Sequence, residues 1–96
     1  MYLWIMYDIS DNKHRKQVAK RCKLLGLHAV QKSVFCGFAP SPRLVRQFEQ
    51  ELPYLINLQK DRVFILPMPQ STKQQLKSFG QEALNVLETA PFVLFL

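Results

Sequence analysis

A chain of 96 residues is long enough for one domain with a single core and too short for two that each bury enough apolar surface to stand alone. With 48% hydrophobic and 21% charged residues, and only three glycines and six prolines, it is ordinary globular material rather than a disordered tail. Thirteen Lys and Arg against seven Asp and Glu give a formal net charge of +6, a surplus that favours polyanions and makes nucleic acid the leading class of partner.

Residues 1–9, MYLWIMYDI, are aromatic and branched enough to predict a strand, and one that needs cover on both faces. Alternation puts Tyr2, Trp4, Met6 and Asp8 on one face and Leu3, Ile5, Tyr7 and Ile9 on the other. The run is far too short to cross a bilayer, no basic region precedes it, and Asp8 ends it. Neither a membrane segment nor a targeting segment is expected, and the expected location is cytoplasmic. Ser10, Asp11 and Asn12 then supply cap chemistry for a helix to about residue 25, with Gly26 as its stop. Val18, Cys22 and Leu25 form its apolar stripe, flanked by Arg15 and Arg21. Lys13, Lys16, Lys20 and Lys23 gather on the opposite side.

Residues 28–38 read as extended, with a break or bulge at Gln31, Lys32 and Ser33. Ser41 followed by Pro42 starts a second helix, because serine caps free amides and proline is tolerated in the first turn. Leu44, Val45, Phe48 and Leu52 share one of its faces, and Pro53 is expected to end or kink it near Leu52. Residues 62–66 predict a further strand, closed by Pro67 and Pro69. This order matches an α+β, ferredoxin-like βαββαβ sandwich, an antiparallel sheet with two helices on one face. Residues 1–69 form its core, and residues 70–96 a C-terminal extension of the same domain. Within the extension, residues 71–88 read as helix or mixed structure. Residues 92–96, FVLFL, read as a terminal strand that needs an edge from its own sheet or from a second copy.

Asp8 is the residue that asks for an explanation. A carboxylate at the end of an apolar strand is unfavourable unless it meets a cation, a metal or several donors, and a capping role is redundant beside Ser10, Asp11 and Asn12. Phosphodiester hydrolysis needs an activated water and a neutralised phosphate, and Mg²⁺ held by one or two carboxylates supplies both. One chain offers few further acids: Asp61 stands at a strand start, and Glu49, Glu51, Glu82 and Glu88 read as helix-surface residues. Two copies meeting across the face of Trp4, Met6 and Asp8 would bring two Asp8 carboxylates to one axis, where like charges favour a bound cation. Cys22 and Cys36 lack metal-ligand spacing and read as reduced, buried thiols. His14 and His28 show no ligand or triad spacing, and no GxSxG, CxxC or glycine-rich phosphate loop is present.

Several stretches together resemble the small CRISPR-associated proteins of the Cas-two family. They are YDIS at residues 7–10, Arg15 and the VAK of residues 18–20 on the first helix, Gly26 and Leu27, QKSVFCG at residues 31–37, and the strand DRVFILP. They cover residues 1–69 in the family's order. The resemblance implies a ferredoxin-like homodimer, with the C-terminal strand pairing across to the partner's sheet and the strand-end Asp8 binding Mg²⁺ at the subunit interface. It also implies a metal-dependent endonuclease acting on single-stranded RNA or double-stranded DNA, and a bridge for spacer DNA in partnership with the Cas-one integrase. Carried over by position, Tyr7, Asp8 and Arg15 are the expected catalytic residues, and Asp8 is the metal ligand. Ser10, Lys13, Arg15, Lys16, Lys20, Lys32 and Ser33 are the expected nucleic-acid contacts, and Phe35 is the core residue of the SVF motif. Ala29 and Gln17 stand where many members carry basic residues, so part of the basic site is missing. The alternatives are a non-catalytic nucleic-acid-binding module, with Tyr2 and Trp4 as stacking residues, and a toxin-like ribonuclease on the same fold.

Overall fold

The computed structural model describes residues 1–73 together with residues 75, 77 and 79. The order is β1 (Tyr2–Asp8), α1 (Asn12–Leu24), β2 (His28–Gln31), β3 (Val34–Phe38), α2 (Pro42–Leu55), β4 (Arg62–Met68) and a single turn, α3 (Gln70–Lys73). The four strands form one sheet in the order β2-β3-β1-β4, and every neighbouring pair is antiparallel. This is the ferredoxin-like βαββαβ arrangement expected from the sequence. The terminal strand proposed for residues 92–96 lies outside the described residues, as does most of the helix or mixed structure read at residues 71–88.

Each helix begins where cap chemistry places it. Asp11, in extended backbone, accepts the amide of His14 at 2.9 Å, and Ser41 does the same for Leu44 at 3.2 Å, so each satisfies an amide that the first helical turn leaves unpaired. At its other end α1 stops at Gly26, whose φ of +97° is open to glycine and strained for other residues; a Cβ there would also come within 3.1 Å of the Phe38 carbonyl oxygen. The break expected near Gln31 is a tight turn at Lys32 and Ser33, with Ser33 at φ +68°, preceded by a bulge between Ala29 and Gln31.

Two boundaries differ from expectation, both at prolines. Helix α2 does not end at Leu52 but runs through Pro53 to Leu55. Pro53 lacks an amide hydrogen, yet the next turn still closes through the Ile56 amide donating to the Leu52 carbonyl at 3.2 Å. Leu52, Leu55 and Ile56 all pack against the core, and that burial outweighs the proline's local penalty. Strand β4 likewise continues through Pro67, opposite Leu3, to Met68. Among the described strands it lies at the edge of the sheet, the position where a strand tolerates a missing donor.

The core lies between the sheet and the two helices. Leu3, Ile5, Ile9 and Phe35 from the sheet side meet Val18, Cys22 and Leu25 of the first helical segment and Val45 and Phe48 of α2. The residues of the opposite sheet face are not part of this cluster. Register aligns Tyr2, Trp4, Met6 and Asp8 with Phe38, Cys36 and Val34 on one side and with Met68, Leu66, Phe64 and Arg62 on the other. Phe64, Leu66 and Phe38 are 57%, 54% and 41% exposed, so this second face presents a broad apolar surface to solvent.

Candidate active site at the end of the first strand

Asp8 is the last residue of β1, exposed, and directly opposite Arg62, the first residue of β4. It takes part in no ion pair among the described residues. Its carboxylate is thus available to a cation arriving from solution or from a second copy. Among the described residues no three His, Cys, Asp or Glu side chains gather where they could hold a metal. Among the described residues, Asp8 is thus the carboxylate that this strand end leaves free.

The residue before it faces the other way. Tyr7 packs against the core, and its ring stacks on Phe35 with centroids 6.3 Å apart and planes 20° from parallel. Burial raises the Tyr7 phenol above its ordinary pKa, the neighbouring Cys22 thiol adds to the rise, and the Arg15 guanidinium works against it. Tyr7, Phe35 and Arg15 thus form one group on the helix side of the sheet, separated from Asp8 by the pleat. The Tyr7 amide also donates to the Ser33 carbonyl at 3.0 Å, which ties the end of β1 to the turn before β3.

A clamp missed by sequence reasoning sits immediately behind Asp8. Asp61, only 7% exposed, accepts hydrogen bonds at Oδ1 from the Ser10 amide at 3.2 Å and the Ser10 hydroxyl at 3.3 Å. Its Oδ2 accepts the Asn57 amide at 2.8 Å. The Asn57 amide does most to hold the Asp61 carboxyl below the usual aspartate range; desolvation opposes it, and the Ser10 donors and the nearby His14 add to the lowering. Both oxygens are committed to this joint, so Asp61 braces the β1–α1 and α2–β4 loops and is not a second free ligand. The Ser10 hydroxyl hydrogen is directed at Asp61. A local signal for half of this clamp was present in Asn57-Leu-Gln-Lys-Asp61, a turn in which Asn57 Oδ1 also accepts the Gln59 amide at 2.9 Å. The Ser10 half joins residues 51 positions apart and needed the fold.

The expected backbone contacts are distributed around this point. Lys13, Lys16 and Lys20 are exposed on α1, a helix of 13 residues without a single acid in its sequence NKHRKQVAKRCKL. Lys32 is exposed on the turn, Ser33 beside it is half-buried, and Phe35 is buried under Tyr7. Tyr2 and Trp4 are not displayed as flat stacking platforms. Tyr2 meets Phe38 edge-on with centroids 5.2 Å apart, and the Trp4 indole donates to Met68 Sδ at 3.0 Å. Trp4 and Met6 instead line a cleft of about 520 Å³ with Leu66, Met68, Thr72 and Gln75. Among the described residues no helix is long and apolar enough to cross a membrane.

Comparison with known proteins gives a consistent answer. The family model for CRISPR associated protein Cas2 matches residues 1–76. A CRISPR-associated endoribonuclease Cas2 of Francisella tularensis subsp. novicida is 37% identical over 81 residues, 81% of this chain and 78% of the relative. A second protein of that name, from Pyrobaculum aerophilum, is 36% identical over 52 residues, 54% of this chain and 56% of the relative. Among solved structures, Streptococcus pyogenes Cas2 superposes with a TM-score of 0.72 at 22% identity, covering 83% of this chain and all of that one. A hypothetical protein of Thermus thermophilus, TT1823, gives 0.62 at 29% identity over 71% of this chain and 80% of its own.

Proposed function

Because the chain belongs to the CRISPR-associated Cas2 family, we propose that it is a homodimeric, Mg²⁺-dependent endonuclease of single-stranded RNA or double-stranded DNA. In the same reading it is a scaffold that carries spacer DNA for the Cas-one integrase. The observation that carries this reading is the exposed Asp8, without an ion-pair partner among the described residues, at the end of an apolar sheet face.

In this reading two copies meet across the face of Trp4, Met6, Phe64 and Leu66. The exposed apolar side chains there gain by leaving water, roughly 25 cal/mol for each Å² removed. The meeting sets one Asp8 from each copy near a common axis, and together they hold the ion. Bound Mg²⁺ supplies charge neutralisation on the phosphodiester and activation of a water nucleophile. Lys13, Lys16 and Lys20 on α1 and Lys32 on the turn take phosphates along the strand, contacts that position the substrate and carry little sequence information. Arg15 assists from the helix side. Tyr7 and Phe35, with Ser33, fix the strand end from which Asp8 projects. Ser10 contributes through its bond to Asp61.

The test is a nuclease assay on single-stranded RNA and duplex DNA with Mg²⁺ or with chelator, using wild type and Asp8→Ala across a pH series. Cleavage that requires both the metal and Asp8 supports the reading, and cleavage indifferent to both sinks it. Bridging spacer DNA does not need hydrolysis, so a folded, dimeric Asp8→Ala protein is expected to support spacer insertion with the integrase. Loss of insertion by that variant would count against the division of roles.

A further inference from the structure

Of the charged residues near Asp8, the nearest by register is one that neither composition nor motif singled out. Arg62 is the cross-strand partner of Asp8 in the β1–β4 ladder, so the two project from the same sheet face with Cβ atoms about 5 Å apart. Among the positions that β1, β3 and β4 align on this face, Asp8 and Arg62 carry the only charges; the others are Tyr2, Trp4, Met6, Val34, Cys36, Phe38, Phe64, Leu66 and Met68. Both residues are exposed, and neither takes part in an ion pair among the described residues. An acid and a base therefore stand side by side at one end of an apolar face without neutralising each other.

Their placement is also held. Asp61, next to Arg62 in sequence, is bonded to Ser10, two residues after Asp8, and to Asn57. The clamp closes the open end of the β1–β4 ladder and fixes the backbone from which both side chains leave. Such bracing of a pair of otherwise free charges suits a site in which a carboxylate and a guanidinium address two parts of one ligand. A phosphodiester with its counter-cation has that form. The short Asp8 carboxylate suits the cation, and the longer guanidinium presents a planar fork of donors to a phosphate oxygen pair.

We propose that Arg62 is a substrate-binding residue of the Asp8 site, which holds the non-bridging oxygens of the phosphodiester beside the carboxylate. This rests on the nuclease reading and extends it to a second residue of the same face. The competing role is a purely structural partner for Asp8 across the ladder. The two roles differ in what they move. Removal of a structural partner lowers thermal stability and leaves substrate binding alone, whereas removal of a phosphate ligand shows in KM and in the salt dependence of binding.

The experiment uses the full-length protein as wild type, Arg62→Ala, Arg62→Lys and Asp8→Ala, with a single-stranded RNA oligonucleotide as substrate. For Arg62→Ala the expected result is a KM raised about tenfold, the scale of one charge-assisted hydrogen bond. The slope of log binding constant against log salt should become shallower by about 0.7 for each phosphate of a single strand that the protein no longer neutralises. Arg62→Lys should restore the salt slope, because a point charge suffices for it, and only part of the KM. Mn²⁺ binding to the protein alone, followed by electron paramagnetic resonance, should be abolished in Asp8→Ala and unchanged or tighter in Arg62→Ala, where a repelling cation has been removed. A folded Arg62→Ala protein with wild-type KM and salt slope overturns the assignment of Arg62. Full cleavage by Asp8→Ala overturns the metal-site reading, a failure distinguishable from the first.

Discussion

On the odd-numbered face of β1, Leu3 and Ile5 are sealed from solvent beneath α1 and α2, whereas on the even-numbered face Trp4 and Met6 are half-exposed and Asp8 is open. The two faces alternate along seven residues of similar apolar character, YLWIMYD. What separates them is the cover each receives. The chain's own helices satisfy the first face, and the second keeps Phe64, Leu66 and Phe38 in water. The odd face is closed by the chain's own helices, and the even face is left open at these positions. The exposed apolar side chains of this face, not the hydrated Asp8 at its end, are what a lone domain would gain by covering.

Core substitution separates the faces most sharply. Ile5→Ala removes three carbons from a fully buried position and is expected to cost about 2–5 kcal/mol in a denaturant melt. Because Ile5 packs on the chain's own helices, that cost should not change with protein concentration. A cost that vanishes at high concentration would mean that the odd face, too, depends on a partner. Next in size is Asp8→Ala, expected to lower nuclease activity about a hundredfold or more, the scale for one group acting at the reacting atoms. Its melting temperature should match wild type, since Asp8 is exposed and has no ion-pair partner among the described residues. A parallel fall in stability would move Asp8 from function to structure.

Phe64→Glu probes the even face directly. If copies meet on this face as proposed, a charge placed there should weaken self-association by about tenfold or more, read by sedimentation equilibrium, with little change in the fold of the single chain. An unchanged mass distribution would show that this face is not where copies meet. A smaller effect is expected at the clamp between the loops. The folded pKa of Asp61 lies below its unfolded value near 4, so its contribution to stability is complete above that value and is lost as pH falls through the folded pKa. Asp61→Asn turns a donor toward the amides of Ser10 or Asn57. It should therefore melt below wild type at neutral pH, and the gap between the two should close on acidification below about pH 4. A gap of constant size across that range would show that packing, not charge, is what Asp61 contributes.

Much of this was legible in the sequence because it is local. The aromatic run of β1, the caps at Asp11 and Ser41 and the stop at Gly26 each rest on neighbours within a few positions, and each was found where expected. Pro53 and Pro67 misled for the complementary reason. Their local penalties are real, but burial of Leu55 and Ile56 in one case and an edge position in the other are properties of the fold. The site divides along the same line. Asp8 stood out as an acid ending an apolar strand, and the YDIS and SVF stretches gave it a family context. That Tyr7 and Asp8 face opposite ways followed from alternation, yet their adjacency in the motif invited them to be counted as one site. Arg62 could not be found at all without the register that sets it against Asp8.

The smallest expected effect distinguishes the faces through their cysteines. Cys22 belongs to the odd-face core and Cys36, opposite Trp4, to the even face; both are free thiols, and neither has exposed surface. Burial pushes both thiols up to about 12. At pH 8 each then stays almost wholly in the thiol form, and the thiolate is the form that reacts. Alkylation by iodoacetamide should therefore be slow at both positions and set by how often the chain opens. Global unfolding would expose the two together, whereas fraying of the even face would expose Cys36 alone. Equal rates, followed by mass spectrometry of the modified peptides, are expected where a second copy covers the even face. Dilution below the dimerisation range should then speed Cys36 and leave Cys22 unchanged. Cys22 reacting first would reverse the assignment of which face is the permanent core.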